Sequence, residues 1–138
     1  MRGMPGSMQQ LTDYQYVTGD VLSFLQQRAA LCIAAGVKPS QIILDPGFGF
    51  AKTLAQNYQL LAELEQFQQA GFPVLAGMSR KSMVGQLLNK PVSERLAGSI
   101  ACATIAVMKG ARIIRAHDVK QTAHAIAVAE ATMYGVFE

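Results

Sequence analysis

Cysteine is scarce in this chain: of 138 residues, only Cys32 and Cys102 carry a thiol. Neither belongs to a paired-cysteine metal spacing. Both fall in apolar helical stretches, which predicts reduced thiols in the core and sets a disulfide framework aside. No stretch approaches the roughly 18 apolar residues of a membrane span. The start shows no basic, then long apolar, then small-residue succession, so the expected location is cytoplasmic, with no membrane partner. The basic residues are dispersed and lack interleaved aromatics, which argues against nucleic acid. No metal-ligand constellation stands out. Gly47-Phe48-Gly49 lacks the third glycine and the Gly-Lys-Ser/Thr ending of phosphate-binding glycine loops.

Apolar residues make up 51% of the chain, enough for one packed domain over 1–138. The net charge of +3 is uneven: residues 1–70 hold 4 basic and 5 acidic side chains, and 71–138 hold 8 and 4. A positive C-terminal half suits an anionic small molecule.

Along the chain, Met1–Ser7 reads as a turn-forming loop. A helix is expected from about Asp20 to Ala35, with Val21, Phe24, Leu25, Ala29 and Cys32 on its apolar stripe and Gly36 ending it. A strand over Ile42-Ile43-Leu44 follows. Asn57 can cap a helix carrying Leu60, Leu61, Leu64 and Phe67 before Gly71. A second strand runs from Pro73 to Gly77. Ser93 can cap a small-residue helix reaching Lys109, and a third strand covers Ile113-Ile114. Asp118 with Gln121 resembles a capping box for a last helix to about Tyr134. Strand starts 32 and 39 positions apart match βα units, so the fold class is α/β with three parallel strands and about four helices. A complete eight-stranded barrel needs on the order of 250 residues, so a barrel here is incomplete.

Each strand hands off to a polar cluster, and in parallel folds the C-terminal strand ends converge around one ligand. Asp45, in Asp45-Pro46-Gly47, either faces a ligand or stabilises its own turn. Facing a ligand, its carboxylate suits a heterocycle offering an amine beside a ring N–H. Phe48 and Phe50 are packing residues or an aromatic wall. Ser79-Arg80-Lys81-Ser82 sits where a strand meets a helix, a place for an anion or carbonyl. The bland reading is a solvated basic turn. Arg115 and His117, two apart, point to one side of an extended segment and can grip one group. A salt bridge with Asp118 is the competing account. His124, among alanines, reads as a surface or core residue.

Together these motifs resemble the dihydropteroate synthases. The resemblance is carried by Leu44-Asp45-Pro46-Gly47-Phe48-Gly49-Phe50, Gly77-Met78-Ser79-Arg80-Lys81-Ser82 and Arg115-Ala116-His117-Asp118, with Met1-Arg2-Gly3-Met4-Pro5 similar to the loop after the family's fifth strand. It implies the C-terminal part of a (β/α)₈ TIM barrel, a partial pterin-binding domain over 1–138. The implied reaction joins p-aminobenzoate to a pterin diphosphate, releasing diphosphate. The resemblance places Asp45, Gly77, Lys81 and Arg115 on the pterin, and Arg115 and His117 on the diphosphate. Lys81, Arg115 and His117 are the implied catalytic residues, and Phe50 and Ser82 border the aminobenzoate and sulfonamide site. It also implies Mg²⁺ and a homodimer.

Two departures accompany the resemblance. Ala51 stands where the family usually has glycine, which disfavours positive φ and predicts a stiffened or reshaped loop. The family's first-strand asparagine, two N-terminal loops and earlier pterin-binding residues have no counterpart here, magnesium's usual protein ligand among them. The expectation is therefore an isolated chain with little or no activity; the alternative is a non-catalytic pterin- or diphosphate-binding, self-associating fragment.

Overall fold

Short apolar segments and small-residue helices assemble here into an open α/β layer. The structure, a computed structural model, describes Met4 and residues 6–136. The opening loop expected at residues 1–3 and 5, and most of the family-like segment there, lie outside the described residues. Among the described residues are five α-helices: α1 Val17–Ala34, α2 Leu54–Ala62, α3 Ser82–Leu88, α4 Leu96–Met108 and α5 Val119–Tyr134. No helix among the described residues is long and apolar enough to cross a membrane.

The described residues hold two strands, β1 Leu75–Ala76 and β2 Ile113–Ile114, paired in parallel with Leu75 opposite Ile113. The expected first strand is reduced to one parallel bridge, Leu44 to Val74. Leu44 N–H donates to Pro73 O at 2.9 Å, and Leu44 O accepts from Leu75 N–H at 2.8 Å. The spatial order of the three segments is therefore the chain order, all parallel. The sheet is not closed. Along β2 and α5 runs an open groove of about 890 Å³, lined by Val74, Arg112, Ile114, Val119 and Ile126 among others.

The core lies between the sheet segments and the helices. Phe48, Leu60, Leu64, Phe67, Val74 and Met83 are almost wholly buried, each contributing about 1.5–3 kcal/mol by leaving water. Gly98 lets α4 approach α3, since a Cβ there would lie 2.6 Å from Val84 Cγ1.

Four local expectations are corrected. Cys102 is buried, but Cys32 is exposed, because α1 runs past the core beyond Ala29. The cap of α2 is Thr53: its hydroxyl accepts from Gln56 N–H at 3.2 Å, and Gln56 Oε1 accepts from Thr53 N–H at 2.9 Å, a reciprocal capping box. Asn57 is instead a buried helical residue. Ser93 lies in a 3₁₀ turn, Val92–Glu94, ahead of α4, and α3 is a separate helix ended by Asn89 at φ 52°. Asp118 stands at the N-cap of α5 without a side-chain cap bond.

Candidate functional site

The first cluster is a loop of unusual backbone. Gly47, Gly49 and Ala51 have φ of 73°, 77° and 50°. Ala51 thus takes the left-handed conformation that its side chain disfavours, at a cost of about 1–2 kcal/mol, and the loop is kept. Several contacts over-determine it. Phe48 anchors it in the core. Gly49 N–H donates to Asn57 Oδ1 at 2.7 Å, and Gly49 O accepts from Gln9 Nε2 at 3.0 Å. Lys52 Nζ donates to the carbonyls of Pro46, Gly47 and Phe50 at 3.0, 3.0 and 3.1 Å. Asp45, exposed at the mouth, accepts from Gly47 N–H through Oδ1 at 2.8 Å. One carboxylate oxygen therefore serves the turn, as the bland reading expected, while the group as a whole still faces out.

In the second cluster, Lys81 Nζ reaches across to donate to Phe48 O at 2.7 Å and lies 4.5 Å from the centre of the exposed Phe50 ring. This joins the first two clusters. Arg80 has φ 57°, and each of its polar groups has a partner. Its N–H donates to Ser99 Oγ at 2.9 Å, its carbonyl accepts from Arg95 Nη1 at 2.9 Å, and its guanidinium grips both oxygens of Asp118 at 2.9 and 2.6 Å. Of the segment's two cations, Arg80 is therefore a structural clamp committed to Asp118, which leaves Lys81 as the cation of the expected anion or carbonyl site. Gly85 makes room for Arg95, whose guanidinium occupies the space a Cβ would take.

The third cluster leaves β2. Arg115 N–H donates to Ala76 O at 3.0 Å, and its stem crosses Gly77, where a Cβ would lie 3.5 Å from Arg115 Cβ. His117 is tied to the second cluster: its N–H donates to Ser79 Oγ at 3.1 Å, and Nδ1 lies 3.0 Å from the same hydroxyl. The competing account of an Asp118 salt bridge holds for Arg80 rather than for Arg115. Ser82 opens α3 and is exposed, as is His124.

The Lys81–Phe48 and His117–Ser79 contacts bring the three clusters to one rim, where their charges act on one another. Burial pulls the Lys81 ammonium below the ordinary lysine range, with Asp45 opposing the shift and Arg115 adding to it. Burial likewise lowers Lys52 to about 8, opposed by Asp45 and reinforced by Lys81. Hydrogen bonding from Arg80 holds Asp118 below the usual carboxylate range. Asp45, Lys52, Lys81 and Arg115 are thus one field. A cleft of about 450 Å³ adjoins it, lined by Asp45, Gly47, Phe50 and Lys52 with Asp13, Asp20 and Phe24.

Lys52, Ser99 and Arg95 are functional positions that no sequence motif marks, and Asn57, expected as a helix cap, instead holds the first loop through Gly49 N–H. The Thr53-x-x-Gln56 pattern was a readable signal for the start of α2, and it would have freed Asn57 for its contact with Gly49.

The chain matches the family model described as "Pterin binding enzyme" over residues 1–117. It is 52% identical over 133 residues to the dihydropteroate synthase of Escherichia coli K12, an alignment covering 96% of this chain and 47% of that protein. Among solved structures, Yersinia pestis dihydropteroate synthase with a sulfonamide drug complex superposes with a TM-score of 0.95 at 51% identity, covering 99% of this chain and 50% of that one. The Coxiella burnetii enzyme in complex with pteroic acid gives a TM-score of 0.83 at 47% identity, covering 85% of this chain and 43% of that one. The chain thus spans about half the length of the curated relatives it matches. With Asp45, Lys81 and Arg115 brought to one rim on an α/β layer that superposes on those structures, the chain belongs to the pterin binding enzymes, among the dihydropteroate synthases.

Proposed function

We propose that this chain forms the pterin and diphosphate wall of a dihydropteroate synthase barrel. The observation that carries the reading is Lys81, whose reach to Phe48 O at 2.7 Å places the second cluster against the first, beside Asp45. The open groove along β2 is where the remaining strands of such a barrel would continue.

In this reading Asp45 accepts two parallel bonds from a ring amine and its neighbouring N–H, its turn bond to Gly47 leaving further acceptor capacity. Lys81 has one of its three donors on Phe48 and offers the others to the ring carbonyl or nitrogen. Arg115, whose stem crosses Gly77, stacks on the pterin and, with His117, takes charge from the departing diphosphate. Ser79 orients the His117 ring for that contact. Phe50 and Ser82 border the aminobenzoate.

The bond between the pterin methylene carbon and the diphosphate oxygen breaks, with the electron pair leaving on diphosphate. The aminobenzoate nitrogen then bonds to the carbon and loses a proton. No side-chain nucleophile is needed; catalysis is orientation and charge stabilisation. Magnesium belongs to the family expectation. Among the described residues, no three His, Cys, Asp or Glu side chains gather to hold an ion, so no step is assigned to it.

Calorimetric titration of pterin and of pterin diphosphate into wild type and Asp45→Asn tests the reading, with condensation assayed alongside. Loss of roughly tenfold or more in pterin affinity on Asp45→Asn is expected, the value of a charge-assisted pair. Unchanged binding would sink the assignment. Turnover by this chain alone would overturn the expectation of an inactive fragment.

A further inference from the structure

We propose that Lys52 is a positioning residue for Asp45: its ammonium gathers three carbonyls of the Asp45–Ala51 loop and, through them, fixes the peptide unit that aims the carboxylate. The inference rests on the reading of Asp45 as a ligand-facing group. An ammonium has three N–H donors, and Lys52 uses all of them, on Pro46, Gly47 and Phe50. None is left for a ligand, so Lys52 acts on the loop alone.

The link to Asp45 is covalent geometry. Pro46 C=O and Gly47 N–H belong to one planar peptide unit. Lys52 grips the carbonyl end of that unit at 3.0 Å, and Asp45 Oδ1 receives the N–H end at 2.8 Å. Rotating the unit would release both bonds together. Three converging carbonyls also repel one another, and the cation at their focus removes that repulsion.

The surroundings make this grip sensitive to protonation. Asp45 faces the ammonium from its own loop, Lys81 from the second cluster, and the Tyr14 ring lies 6.0 Å away. Asp13 and Asp20 line the same cleft from the segment before α1 and from α1 itself. Burial outweighs the attraction of Asp45 and brings loss of the proton to about pH 8. A neutral amine has two donors and a lone pair, so one carbonyl loses its partner.

The test follows the Gly47 and Gly49 amide signals of the ¹⁵N-labelled chain by NMR from pH 6.5 to 9.5, with pterin affinity measured at each pH. Wild type should show a loop transition centred at about pH 8. Lys52→Met should abolish that transition and weaken pterin binding roughly tenfold, the worth of one charged hydrogen bond. Lys52→Arg, permanently charged, should restore binding and make it flat with pH. Three results would overturn the proposal: wild-type signals flat across the range, a Lys52→Met loop with wild-type shifts, or equal pterin affinity in wild type and Lys52→Met. If Lys52→Met fails to fold, the contrast between Lys52→Arg and wild type decides. If wild type binds no pterin at any pH, the reading of Asp45 fails; the loop transition, present or absent, then judges the Lys52 grip by itself.

Discussion

The loops that follow Leu44 and Ala76 solve the same problem with different materials. Each holds one residue with a side chain at positive φ, Ala51 at 50° and Arg80 at 57°, where such residues are strained. The first loop is held by a buried aromatic ring and by a lysine that loses its proton at about pH 8. The second is held by a hydroxyl, an arginine and a bidentate ion pair. One clamp can be released near neutral pH and the other cannot, although both serve one rim.

The sharpest way to break the contrast is Phe48→Ala. The ring is 1% exposed, so its loss should cost about 3–5 kcal/mol in denaturant unfolding and dissolve the first loop. A cost below about 1 kcal/mol would mean that Lys52 and Asn57 hold the loop unaided. Next comes Ser99→Ala, which leaves the Arg80 N–H without its acceptor and should cost about 1–3 kcal/mol. In the proposed reading Arg115 and His117, the latter held by Ser79 of the same loop, should then report the damage as weakened diphosphate binding.

Smaller still is the pH dependence. The folded chain holds Lys52 at about 8, against an ordinary value of 10.5, so between those values it binds fewer protons than the unfolded chain. Stability should therefore rise with pH across that window. The contribution is fully present above the upper value and lost as pH falls through the lower one. For this partly exposed group it amounts to about 2 kcal/mol, and Lys52→Met should flatten it. Asp118, lowered by Arg80, behaves in the opposite range: its contribution is intact at neutral pH and fades only in acid. Chemical denaturation from pH 7 to 10.5 separates the two clamps.

The smallest effect is Ala51→Gly. Relief of about 1–2 kcal/mol of strain is offset by a lost buried methyl and by glycine's greater freedom in the unfolded chain, so the net change should stay within about 0.5 kcal/mol. A large gain would show that the first loop is under more strain than its contacts suggest.

Much of the frame was legible because it depends on local pattern. The second and third apolar strand centres, the long first and last helices and the polar clusters after them lie where periodicity and turn residues place them, while the first strand shrinks to the bridge at Leu44. The barrel family was legible from the three motifs themselves. What escaped was long-range pairing. Asp118 has the right spacing to cap α5, but a guanidinium 38 residues earlier claims its carboxylate. No side-chain pattern marks Ser99, one small residue among many in α4, or Lys52, whose partners are the loop carbonyls. In each case the deciding partner is distant in sequence or is a backbone carbonyl, which side-chain patterns do not report. Ala51 shows the converse: its disfavoured φ was foreseen, but the surrounding anchors are strong enough to impose it.

The clamp on Arg80 also bears on the order in which the molecule assembles. Its three partners lie on α4, just ahead of α4 and at the start of α5, so Arg80 lacks all three of them until those helices have docked. Closing that span comes before its reward. The rim is therefore expected to set after the core that supports it, so Ser99→Ala should speed unfolding and leave the folding rate almost unchanged in stopped-flow measurements.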